Sequence, residues 1–174
     1  NGKYNFKNPS QFIDLYSNAC HLFTKTTAPS LVFKYNGNIN QPLMLDIDLR
    51  FSDERIVSTD VYKKFGIKLS NTICKVCSKK SVKFYLVKKD SGYFKYCKKT
   101  NTKLYCLGAH FYFPFISINR QTAEALYSDF IKQCDCFIEM NCLNNETDIV
   151  DVRIPVKRSN GLMLLGDFKK RGEG

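Results

Sequence analysis

Apolar residues along this chain follow two periods. In QPLMLDIDLRF (41–51) they alternate with polar ones, so that Leu45, Ile47 and Leu49 fall on one side of an extended chain and Asp46 and Asp48 on the other. A period of two predicts a strand with one packed face. SLVFKY (30–35) is also strand-like, and NGN (36–38) between the two is a turn signal, which predicts a hairpin. HFYFPFISI (110–118) predicts another strand, opened by His110 and bent or held at an edge by Pro114. IVDVRIPV (149–156) and GLMLLGDF (161–168), joined by KRSN, predict a second hairpin. The helical period shows twice. After Asn8-Pro9-Ser10, residues 11–23 place Phe12, Leu15, Tyr16, Ala19 and Leu22/Phe23 on one stripe. Residues 119–133 do the same with Ala123, Leu126, Tyr127, Phe130 and Ile131. Residues 52–73 are polar and mixed, and predict only a short helix at 61–65.

Between Cys74 and Cys106 the pattern changes. Ten lysines, among them Lys79, Lys80, Lys83, Lys88, Lys89, Lys95, Lys98, Lys99 and Lys103, face only Asp90, and the apolar pieces VKFYLV and YFKYC are short and separated by KKDSG. This reads as a small insertion, placed at 70–108, within a single domain of 174 residues. The order helix, hairpin, insertion, strand, helix, hairpin implies an α+β domain around a mainly antiparallel sheet. No internal repeat is present, and a chain opening on Asn1 and closing on Lys-Arg-Gly-Glu-Gly reads as part of a longer polypeptide or a processed product.

Charge narrows the partner. The 27 basic and 16 acidic residues leave +11. That excess favours nucleic acid or nucleotide phosphates through counterion release, against the plainer reading of a solubilising surface or a domain balanced by an acidic neighbour. No apolar run approaches the ~20 residues that cross a bilayer, and no secretory signal opens the chain. The expectation is a soluble intracellular domain, in nucleus or cytoplasm, with no membrane partner. Eight cysteines without such a signal point to a reducing compartment. Cys20, Cys134, Cys136 and Cys142 lie among apolar residues and read as packing groups.

Asp46 and Asp48 raise a sharper question, because two carboxylates on one strand face repel when both are ionised. A bound divalent cation, a basic partner or a shared proton relieves this, and a metal there would suit phosphoryl transfer. A solvated face with Arg50 nearby is the equal alternative. Asp151, among Ile149, Val150, Val152 and Ile154, poses the same question; Arg153 shares its face as a possible ion-pair partner, and Asp148 competes with it as the acid. His110 and His21 both have the ordinary reading of a hydrogen-bonded, half-buried histidine. CKVC (74–77), with Cys97 and Cys106, gives C-x2-C-x19-C-x8-C, which suits a structural Zn2+ site of Cys74, Cys77, Cys97 and Cys106. A three-cysteine site, or Cys106 simply packed in a strand, is the rival.

Taken in order, LMLDIDLRF, GAHFYFP and IVDVRIPV resemble the archaeo-eukaryotic primase superfamily: a DxD strand, a histidine strand, then a strand bearing a third acid. The likeness runs from about residue 30 to 170 and is nearest to the primase domains of poxvirus-type and other large-DNA-virus primase-helicases. There the third acid is followed by a strand reading roughly Leu-Arg-x-x-Gly-x-x-Lys. GLMLLGDFKK keeps Leu162, Gly166 and Lys169 but has Met163 in the arginine place, which leaves Arg153, Lys157 or Arg158 to supply that contact. The resemblance implies an RRM-like, mainly antiparallel sheet with flanking helices and the acids on its open face. It implies that Asp46, Asp48 and Asp151 bind two catalytic Mg2+ or Mn2+ ions. His110, Lys169, Arg153 and Arg158 would contact nucleotide phosphates, with Lys170 nearby, and the zinc-bearing insertion would sit by the active site. The implied activity is primer synthesis from nucleoside triphosphates on a single-stranded DNA template, in company with a helicase domain or subunit. A non-catalytic zinc-stabilised nucleic-acid-binding module and a metal-dependent nuclease are the competing readings.

Overall fold

Residues 18, 32–34, 40–89, 91–98, 101–151 and 161–163 are described by the structure, a computed structural model. Residue 18 is helical; the rest of the helix predicted at 8–23, with Cys20 and His21, lies outside the described residues. The chain divides into two compact units, Asn1–Phe33 with Leu162–Gly174, and Lys34–Gly161. Every described site residue belongs to the second.

The centre of that unit is a long strand, β5 (Thr102–Ile118), paired antiparallel along one edge with β2 (Gln41–Phe51). Its other edge is shared by two short strands, β3 (Tyr85–Lys88) against residues 109–112 and β4 (Tyr93–Cys97) against residues 102–106. The result is a four-stranded antiparallel sheet. β5 begins eight residues before the predicted strand (102 rather than 110), so His110 lies in its middle and does not open it. Burial alternates from Tyr105 through Leu107, Ala109, Phe111 and Phe113, all buried, and the alternation then fails at Pro114. Leu43 pairs with Phe113 but Pro42 with Ser117, so residues 114–116 bulge from the ladder. A proline with no N–H to donate is a natural place for that break. The Tyr127 hydroxyl donates to the Met44 carbonyl beside this bulge.

Two sequence expectations are corrected here. β2 pairs with β5, and β1 (Val32–Lys34) pairs instead with β6 (Gly161–Met163) in a two-stranded sheet, so 30–35 and 43–51 do not form a hairpin. β5 matches β2 over its full length, whereas three residues of β1 satisfy little of an eleven-residue edge. Residues 146–149, expected to lead into a strand, form a helical turn instead, and only Val150 makes a β-bridge. The Asn145 side chain accepts from the Asp148 N–H and closes that turn. Of the second predicted hairpin, residues 161–163 form β6, paired with β1, and residues 152–160 and 164–168 lie outside the described residues.

The largest departure is α1 (Thr59–Val76), an 18-residue helix where only a short one was expected. Ser58 caps its start, and Tyr62, Phe65, Leu69 and Ile73 form its buried stripe. Its last turn closes with Cys77 N–H to the Ile73 carbonyl and Lys79 N–H to the Cys74 carbonyl, with Ser78 at φ 51°. Gly66 lets α1 approach the sheet: a Cβ there would meet the Phe84 ring at 2.5 Å and Phe111 at 2.9 Å. α2 (Arg120–Ile131), capped by Asn119, adds Ala123, Leu126, Tyr127 and Phe130 to the same core. α3 (Asp135–Ile138) contributes Phe137, which lies against Tyr62 and Phe65. Cys134 is fully buried, with its thiol pushed up to about 12 chiefly by burial, and Cys136 and Cys142 pack at the core margin. Helices therefore cover one face of the sheet, through the buried side chains of β2 and β5. Among the described residues no helix is long and apolar enough to cross a membrane.

Candidate active site

The alternation in β2 has the consequence expected of it. Leu45, Ile47 and Leu49 are fully buried beneath the sheet, while Asp46, Asp48 and Arg50 are half-buried on its open side. Register does the rest, setting Asp46 opposite His110, Asp48 opposite Gly108 and Arg50 opposite Cys106. His110 Nε2 stands 3.2 Å from Asp46 Oδ1, and its Nδ1 stands 3.2 Å from the Tyr112 hydroxyl. A carboxylate only accepts, so Nε2 carries the proton toward Asp46. In the neutral ring Nδ1 then accepts from the tyrosine. Burial, then the nearby Asp46 charge, pushes the Tyr112 phenol up to about 12, so it keeps the proton it donates. The imidazole is thus held from both sides with its plane fixed.

Asp151 reaches the same place from the other edge of β2. Its N–H donates to the Asp46 carbonyl at 3.0 Å, and Ile47 bridges Val150, which sets Asp151 in register with Asp46. One row across the sheet therefore reads Asp151, Asp46, His110, with Asp48 one row along. Asp148, the rival acid, is exposed within α4 (Glu146–Ile149), where its own N–H is capped.

The outer edge of β2 is completed by a residue with no motif to announce it. Buried Asn144 donates its amide to the Asp48 carbonyl (2.7 Å) and accepts the Arg50 N–H (3.0 Å), while Leu143 N–H donates to the Arg50 carbonyl (2.7 Å). One side chain stands in for a strand neighbour at the point where the second carboxylate sits. Tyr112 was also missed, although its place two residues after His110 on a strand signalled a shared face. Gly108 was seen only as a residue before the histidine; its bare backbone lies between Asp48 and the β3 side of the sheet.

With three acids and one histidine gathered in this order, a comparison with protein families decides the kinship. The family model of the C962R protein N-terminal AEP domain matches residues 1–174. The chain belongs to the archaeo-eukaryotic primase family. A search of curated proteins found no match.

For the reading in which the acids hold metal, the donors matter. Asp46 and Asp48, with Asp151 alongside, offer hard carboxylate oxygens on one open face, the kind that Mg2+ or Mn2+ takes. Among the described residues no three His, Cys, Asp or Glu side chains already converge as a ligand set. One oxygen of Asp46 is engaged by His110, so the fit is one of donor type and shared face. The cysteines fit less well. Cys74 and Cys77 lie on the last turn and cap of α1, Cys97 ends β4 and Cys106 is mid-β5. All four are free thiols and form no metal-holding group in this structure. The stretch read as an insertion starts within α1 and ends within β5, with β3 and β4 as its two apolar pieces. Arg153, Lys157, Arg158, Lys169 and Lys170 lie outside the described residues.

Proposed function

We propose that this chain is a primase or primase-polymerase domain, joining nucleoside triphosphates into short primers on single-stranded DNA with Mg2+ or Mn2+. The supporting observation is the row Asp151, Asp46, His110 with Asp48 beside it, assembled from three separate segments on the open face of one sheet. Asp46, Asp48 and Asp151 would hold the two ions. Those ions, when bound, supply charge neutralisation at the triphosphate and activation of the primer 3′-hydroxyl. His110, held between Asp46 and Tyr112, would turn its Nε2–H from Asp46 to the nucleotide phosphates once that carboxylate takes a metal. Lys169, Arg153 and Arg158 are the candidates for further phosphate contacts, as the family pattern suggests. The rigid backbone beneath the acids suits a reaction in which positioning and electrostatics carry most of the rate. A helicase domain or subunit is the proposed companion, in the replication of a large DNA virus.

The test is nucleotide incorporation on a primed or unprimed single-stranded template, with either metal. Asp46→Asn and Asp48→Asn should each reduce incorporation by on the order of 10²–10³-fold or more, while leaving DNA affinity within a few-fold. A wild-type chain that binds DNA yet incorporates nothing with either metal would be a non-catalytic binding module. One that shortens the template instead would be a nuclease.

A further inference from the structure

The open face of the sheet does not end at the acids. From His110 toward the start of β5, every second residue (His110, Gly108, Cys106, Leu104) faces the same side. Cross-strand partners flank each of them. Asp46 and Val87 stand beside His110, Asp48 beside Gly108, Arg50 and Tyr93 beside Cys106, and Lys95 beside Leu104. Lys89 follows β3 with its N–H donating to the Gly108 carbonyl at 3.4 Å, which puts it in the Gly108 row. Charge changes sign along this strip, from Asp46 and Asp48 to Lys89, Arg50 and Lys95, over the stretch of β5 from His110 to Leu104, ~20 Å at strand rise. Tyr93 is 39% exposed, with the Lys89 ammonium 5.0 Å from its ring centre. The Gly108 position is bare, since a Cβ there would meet only the Ile47 carbonyl oxygen at 3.4 Å and Asp48 Oδ1 at 3.8 Å.

We propose that this strip is a binding track for single-stranded nucleic acid, with phosphates on Arg50, Lys89 and Lys95 and an unstacked base on Tyr93. Spaced cations with an exposed aromatic between them match a strand whose bases are free to stack. A triphosphate would need its cations at one point. That the track feeds template to Asp46 and Asp48 rests on the proposed nucleotidyl-transfer reading; the binding itself does not.

The experiment is fluorescence anisotropy of labelled oligothymidylate, long enough for a site of ~4–16 nucleotides, against the purified chain across a salt series and without metal. Lys89→Glu/Lys95→Glu should weaken binding at least about tenfold and flatten the plot of log K against log salt by about 1.4, the share of two phosphate contacts. Lys63→Glu/Lys64→Glu, the same charge change on exposed α1 residues on the helix-covered side, should cost less than about threefold. Tyr93→Ala should cost about tenfold and Tyr93→Phe little, and a duplex of equal length should bind less well than the single strand. Equal losses from the two lysine pairs, wild-type binding by Tyr93→Ala, or equal affinity for duplex would each overturn the track. So would track variants that lose nucleoside triphosphate but keep the oligonucleotide. Strand binding along the track without any nucleotide incorporation would sink the polymerase reading alone. Incorporation with the track variants binding normally would sink the track alone.

Discussion

The two ends of the open sheet face are built to opposite rules. At the acid end, β2 is tied on both edges, by β5 on one side and by Asn144, Val150 and Asp151 on the other, and its underside is fully buried. At the basic end, β4 pairs on one side with β5, and Tyr93, Phe94, Lys95 and Tyr96 are all exposed. Like charges held close together need a frame that resists their repulsion, which the first end has. Cations and aromatics meant for a flexible polyanion need reach and access, which the second has. On the proposed reading, chemistry and capture are separated along one strand, β5, with Gly108 as the step between them.

The largest way to break this contrast without touching a carboxylate is at Asn144. Asn144→Ala leaves the Asp48 carbonyl and the Arg50 N–H facing a buried edge with no partner. Leaving such groups unmet costs ~1–3 kcal/mol each, less where water enters. A total loss of about 2–3 kcal/mol by urea denaturation is expected, with nucleotide incorporation falling while oligonucleotide affinity holds. A fall in affinity of the same size as the fall in incorporation would show that the two ends are not independent. Asn144→Asp, isosteric but unable to donate, should cost nearly as much. Were it neutral, the amide would not be the group that holds the edge.

How much of this was legible beforehand depends on how local the signal was. The DxD alternation, the histidine strand and α2 all rest on spacing within a dozen residues, and the structure keeps them. α1 was equally visible in Tyr62, Phe65, Leu69 and Ile73, but Lys63, Lys64, Lys68 and Gly66 among them made the stretch read as polar and broken. An amphipathic helix with a strongly charged outer face looks like a loop when counted by composition, and like a helix when counted by stripe. Strand pairing was not legible. The NGN turn pointed to the nearest neighbour, whereas β2 found its partner some sixty residues on, in the strand long enough to match it. Asn144 was illegible for a deeper reason: its role is fixed by the backbone it meets, and no spacing in its own segment records that.

A smaller effect separates the two ends by pH. Tyr112 at the acid end has its folded-state pKa raised from 10.0 to about 12, first by burial and then by Asp46. A raised pKa means the neutral phenol contributes fully below pH 10, and that contribution is lost as pH climbs toward 12. Tyr112→Phe should therefore show a shallower loss of stability over that window, although Tyr62, raised further by burial, and Cys134 keep part of the slope. Identical alkaline limbs for wild type and Tyr112→Phe would mean that the phenol is not held in the site as described.

The smallest effects are expected at the cysteines of the basic end, and they decide what holds that end together. Cys77 caps α1 through its backbone N–H, not its thiol, and Cys106 makes only a weak contact with the Leu104 carbonyl. Cys97 closes β4, whose hold on the sheet is its pairing with β5. Cys77→Ser and Cys97→Ser change little volume at half-exposed positions, so each should shift stability by less than about 0.5 kcal/mol and leave oligonucleotide binding intact. If each variant instead cost several kcal/mol in parallel, and purified wild-type chain carried one equivalent of zinc, the four thiolates would have gathered around a metal. The basic end would then be as rigid as the acid end, and the contrast between them would rest on charge alone.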